Sequence, residues 1–140
     1  MLFTDSITVD GTPELLWALT TDVEALPSIT PTMSEVERLD EGPLAVGSRV
    51  RIEQPGMRSN VWTVRRLDEP HLLEWDTKVG TVVITARHLI TATDGGATNR
   101  LEVELSGFGS GLVGRLLGGR LNEGLAQENA GFAAAVARSS

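Results

Sequence analysis

The feature that most constrains this chain is a single long, glycine-spaced helix placed after a run of hairpins. One strand comes first, then a short helical stretch, then strand after strand, and last a helix from about Gly111 to Arg138. A sheet surface and a helix stripe must each bury an apolar face, and here each is the other's natural cover. The expected fold class is α+β: a curved antiparallel sheet of about seven strands wrapped around the C-terminal helix. A sheet curled round a helix tends to leave a pocket between them, and pockets are where small ligands bind.

Hydrophobic periodicity places the elements. Phe3 to Val9 alternates with period 2 and reads as a strand that Asp10-Gly11 ends. Thr12-Pro13-Glu14 opens a helix, with Thr12 as N-cap, Pro13 at the first helical position and Glu14 favourable to the dipole. A second short turn runs from Asp22 through Leu26, where Pro27 is expected to halt it. Strands are expected over Met33–Leu39, Gly47–Gln54, Arg58–Leu67, Leu72–Thr77 and Thr81–Thr93, with a last strand around Leu101, Val103 and Leu105. Asp40-Glu41-Gly42-Pro43, Pro55-Gly56, Glu69-Pro70 and Asp94-Gly95-Gly96 supply the turns. Asn60, Trp62, Val64 and Arg66 share one face of their strand, and Val82, Ile84, Ala86, His88 and Ile90 share one of theirs. No linker, repeat or low-complexity stretch interrupts the pattern, so residues 1–140 are expected to form a single domain.

On a helical wheel, Val113, Leu117, Leu121, Leu125, Phe132 and Val136 fall within an arc of roughly 140°. Gly114, Gly118 and Gly124 lie in that arc, and each costs about 1 kcal/mol of helix stability against alanine. Close approach to the sheet, or room for a ligand, would account for them. Glu128, a carboxylate near the middle of the same arc, does not fit an apolar stripe.

Composition removes several classes of function. The net charge of −7 argues against nucleic acid or an anionic membrane surface, both of which need a basic face. The absence of cysteine excludes disulfides, thiolate metal sites and thiol redox chemistry. Met1-Leu2-Phe3-Thr4-Asp5 has neither the basic nor the apolar region of a signal peptide, and no apolar run approaches the ~18 residues of a membrane span, so a cytoplasmic protein is expected. Two separated histidines give no metal-ligand cluster. There is no Gly-x-Ser-x-Gly elbow, no phosphate-loop lysine spacing and no tyrosine for enolate chemistry. No cofactor is expected, and the oligomeric state is left open, a homodimer included.

The chain resembles the START-like (SRPBCC) superfamily, in particular its small polyketide cyclase/dehydrase-type proteins. The resemblance runs through Ile7-Thr8-Val9-Asp10, Pro13-Glu14-Leu15-Leu16-Trp17, Val46-Gly47-Ser48-Arg49-Val50-Arg51, Trp62-Thr63-Val64, Leu73-Glu74-Trp75, Gly95-Gly96-Ala97-Thr98-Asn99-Arg100-Leu101, Leu105-Ser106-Gly107 and the terminal helix. It implies a helix-grip (START/Bet v1-like) fold of order β-α-α-β6-α around an apolar cavity. Members of that superfamily include lipid and steroid carriers, aromatic polyketide cyclases and a cochaperone branch. Fold alone does not choose among these.

The candidate residues follow from where they face. Trp62 and Trp75, on neighbouring strands, would be flat walls for an aromatic ligand, while ordinary core packing is the plainer reading. Trp17 is assigned to the core or to a lid. His88 can act as acid or base, or hydrogen-bond a ligand carbonyl. Glu128 must find a partner, for which Arg66 or His88 are candidates, or have its pKa raised. Asn60, Arg66 and Gln54 are polar positions on inward faces, Met33 and Met57 are soft wall candidates, and Ile84, Leu117 and Leu121 complete the expected lining. The first function expected is binding of a small hydrophobic or aromatic, lipid- or polyketide-like molecule between sheet and helix. The second is a cofactor-free cyclase or dehydratase with His88 and Glu128 as its catalytic pair. The third is a protein-interaction module, which requires a filled interior and a large exposed apolar patch.

Overall fold

The computed structural model describes residues 1–139. Its strands are β1 (Leu2–Val9), β2 (Glu35–Arg38), β3 (Arg49–Glu53), β4 (Asn60–Asp68), β5 (Leu72–Val79), β6 (Val82–Thr93) and β7 (Gly96–Gly107). The helices are α1 (Pro13–Thr21) and α2 (Ser110–Arg138), with a 3-10 helix at Val23–Ser28 between α1 and β2. The seven strands form one antiparallel sheet in the order β1-β7-β6-β5-β4-β3-β2. This is the helix-grip architecture, with the second of the two expected short helices realised as 3-10.

Local chemistry sets the element ends. Thr12 is extended and its hydroxyl accepts from the Leu15 N–H at 3.1 Å, with Pro13 opening α1. Pro27 does not halt the next turn but lies inside it, because its fixed φ suits a 3-10 helix that ends one residue later. The strand expected from Met33 begins only at Glu35. Hydrogen bonds of the Thr30 hydroxyl to the Thr32 hydroxyl and N–H hold the preceding link in a turn and leave Met33 buried beneath it. Asp94-Gly95 is a two-residue hairpin between paired Thr93 and Gly96, with Gly95 at φ 83°.

The apolar core lies on the inner side of the sheet. Leu16, Val23, Leu26, Val50, Val64, Leu73, Trp75, Ile90 and Phe132 are buried there, and Trp17 is part of this core. The second half of α2 presses Leu125, Phe132, Ala135 and Val136 into it, whereas the first half rests on β1 and β7 more openly. Gly118 lets α2 come within van der Waals distance of Phe3, since an added Cβ would lie 3.0 Å from that ring. Gly131 is tighter, because a Cβ there would collide with the Ile29 carbonyl. Among the described residues no helix is long and apolar enough to cross a membrane.

Candidate functional site

The first half of α2 rests on β1 and β7 but stands off the central strands and leaves a cavity of about 680 Å³, within the range of small-molecule sites. The pleat decides which side chains reach it. On β6, Ile84, Ala86 and His88 point inward, while Arg87 points to the convex side. There Arg87 donates to Glu74 at 2.7 Å, Glu102 at 3.3 Å and Glu104 at 2.7 Å. The bonds to Glu104 and Glu74 hold the guanidinium protonated, and Arg87 in turn keeps the Glu104 carboxyl below the usual carboxylate range.

Trp62 from β4 and Trp75 from β5 form the inner wall, with ring centroids 6.1 Å apart and planes tilted by 50°. Trp75 meets His88 edge-on at 6.2 Å, and His88 meets Phe132 of α2 edge-on at 6.0 Å. A continuous aromatic column thus runs from β4 to the helix. His88 is only 4% exposed and its Nδ1 has no protein partner, nor has the buried Nε1 of Trp62. Burial lowers the His88 pKa to about 4, so the imidazole is neutral at physiological pH.

Glu128 reaches the cavity from α2 and accepts a 2.8 Å hydrogen bond from the Thr32 hydroxyl. Neither Arg66 nor His88 is its hydrogen-bond partner. Burial raises its pKa to about 7, against the opposing pull of the Thr32 bond, which favours the ionised form. One group titrating well below neutrality and one titrating near it therefore face the same cavity from the sheet and from the helix.

Met33, Ile84, Leu117 and Leu121 also line the cavity, as do Gln54 and Met57. Asn60 and Arg66 do not. The Asn60 amide turns back to donate to the Arg58 carbonyl at 2.9 Å. Arg66 is carried outward by a β-bulge between Val64 and Arg66, which sets it opposite Glu74 on the convex face and brings Leu67 inside. His71 is exposed at its turn.

Sequence reasoning missed Thr32, which lies in a loop with no periodicity to give its direction. It also missed a buried polar clamp beside the cavity. Asn129 donates to Asp5 at 2.7 Å and accepts from the Asn99 amide at 3.0 Å, tying α2 to β1 and β7. A signal existed, since Asp5 alternates with Phe3 and Ile7 on the inner face of β1, where a carboxylate needs a partner.

Just before α2 and along its first half, Phe108, Leu112 and Leu116 are 86%, 65% and 73% exposed. Among the described residues no group of His, Asp or Glu could hold a metal ion.

A curved sheet gripping one long helix around an interior cavity defines the START and Bet v1-like class of ligand-binding folds. The chain belongs to the polyketide cyclase / dehydrase and lipid transport family, whose model it matches over residues 2–137. It is similar to the crystal structure of TTHA0849 from Thermus thermophilus, with a TM-score of 0.81 and 15% identity over 100% of this chain and 99% of the other. A START superfamily protein from Mycobacterium smegmatis matches with a TM-score of 0.75 and 16% identity, over 99% of both chains. Ara h 8.0201 matches with a TM-score of 0.62 and 17% identity over 78% of each. Identities this low speak to the fold. No curated protein matches the sequence significantly.

Proposed function

We propose that this protein binds a small hydrophobic or aromatic molecule in the cavity between the sheet and α2. The observation that carries this reading is the cavity itself, about 680 Å³ and walled by Trp62, Trp75, Ile84, Leu117 and Leu121 beside few polar groups. Apolar area removed from water supplies about 25 cal/mol per Å², and the polar groups fix orientation. Native mass spectrometry of freshly purified protein, followed by organic extraction, tests it. A stoichiometric small molecule is expected. An empty protein whose melting temperature also stays unmoved across aromatic, sterol and fatty-acid panels would overturn the reading.

A second reading, a cofactor-free cyclase or dehydratase, is favoured by one observation: Glu128, with a pKa near neutrality, faces the same cavity as the neutral His88. Ionised Glu128 would take an activated C–H proton, and the imidazole would hydrogen-bond the carbonyl that becomes the enolate oxygen. Turnover of a polyketide-like substrate at an undiminished rate by Glu128→Gln and by His88→Ala would eliminate it. The interaction-module reading ranks last, because the interior is not filled.

A further inference from the structure

The cavity wall carries a carboxylate with no counter-ion. Glu128 receives one hydrogen bond, from Thr32, and no cationic side chain lies within ion-pairing distance of it among the described residues. The arginine whose backbone stretch borders the cavity on β6, Arg87, spends its guanidinium on three convex-face carboxylates. Arg120 and Glu123 also line the cavity from the same helix and form no ion pair with Glu128 or with each other. His88 is neutral.

On the sheet side of the same cavity, Trp62 and Trp75 are adjoining indole rings tilted by 50° to each other. A desolvated carboxylate across from indole rings suits an apolar molecule with an ammonium group, through a charge-assisted hydrogen bond on one side and apolar aromatic contact on the other. We infer that the ligand is a hydrophobic molecule bearing a basic nitrogen, its ammonium paired with Glu128 and its apolar body against Trp62 and Trp75. This rests on the ligand-binding reading above and adds the ligand's charge.

The alternatives fit the wall less well. A fatty acid seated with its head group at Glu128 would bring a second carboxylate there, and like charges in a low-dielectric site repel. A neutral molecule would cover Glu128 only in its protonated form and so would gain no charge-assisted bond from it. Burial already holds Glu128 partly protonated near neutrality, so the free site manages without a cation by keeping a proton that an ammonium would replace.

The test compares three probes of one shape, naphthylethylamine, naphthylethanol and naphthylacetic acid, by titration calorimetry at pH 7. The amine is expected to bind roughly tenfold more tightly than the alcohol, a difference typical of one charge-assisted bond, and the acid most weakly. In Glu128→Gln, whose amide oxygen can still accept from Thr32, the amine should fall to the affinity of the alcohol while the alcohol holds its own. An alcohol or acid that matches or exceeds the amine on the unaltered protein would overturn the inference and leave the binding reading intact. Failure of all three probes would overturn the inference, and it would overturn the binding reading as well only if the protein is also purified empty and its melting temperature stays unmoved across the ligand panels. An amine advantage that survives Glu128→Gln would overturn the assignment of Glu128.

Discussion

Burial acts on Glu128 and His88 in the same physical way and with opposite consequences, because it disfavours whichever form carries charge. Glu128 has a folded pKa of about 7 against an ordinary 4.5, so between those values the folded state binds more protons and stability falls as pH rises. His88 has a folded pKa of about 4 against 6.5, so its contribution is complete above pH 6.5 and is lost as pH falls towards 4. The two slopes oppose each other between pH 4.5 and 6.5. Replacing Glu128 by Gln should therefore unmask the His88 slope, giving a steeper loss of melting temperature on acidification, on the order of 2–3 kcal/mol across the window. A profile parallel to that of the unaltered protein would show that Glu128 titrates normally. Thr32→Val should raise the Glu128 pKa further, since it removes the hydrogen bond that favours the carboxylate, and carboxyl NMR would read the shift. Glu128 was legible as a misfit on its wheel and His88 as a histidine among aliphatics. Their partners were not, because Thr32 and Phe132 meet them only through tertiary contact.

Elements were legible where periodicity and turn chemistry agreed, as at Thr12-Pro13 and Asp94-Gly95. The failure on β4 is instructive. Arg65 and Arg66 are adjacent, and strict alternation would have buried one of two guanidinium groups. The bulge avoids that cost by letting both face water, with Arg65 donating to Asp76 at 3.1 Å. A pair of neighbouring charges inside a strand was thus the overlooked sign. The glycines of α2 separate in the same physical way. Gly131→Ala would drive a methyl into the Ile29 carbonyl and should cost about 2–3 kcal/mol, near the top of the range for overpacking. Gly119→Ala meets nothing within 4 Å and should stabilise by about 0.5–1 kcal/mol. Urea unfolding of both variants checks the pair, and equal effects would mean that α2 does not approach the 3-10 region so closely.

The molecule as a whole is divided between a packed end and an open one. Phe132, Ala135 and Val136 seal the second half of α2 against the core, whereas Leu112 and Leu116 of the first half stay exposed, as does Leu117, which lines the cavity. Few buried apolar contacts mean a low local opening energy. Amides of residues 111–121 should therefore exchange hydrogen faster than those of 125–136, and a bound ligand should slow the first group selectively. Uniform protection along the helix would contradict that division. None of it could be read from the wheel, where Val113, Leu117 and Leu121 look as suited to a core as Leu125 and Phe132, because a wheel gives direction but not depth.

The pairing of β1 with β7 carries a last consequence. Leu2 sits opposite Glu104 and Val9 opposite Ala97, so the sheet closes only when segments far apart in the chain have met. Contacts of such long range make folding slow, since loop-closure entropy is lost before the contacts return anything. The cavity needs β7 and α2 as well as the central strands, so a ligand can be held only once that closure has been made. A ligand held there would lengthen the lifetime of the native state by slowing unfolding while leaving the rate of folding nearly untouched.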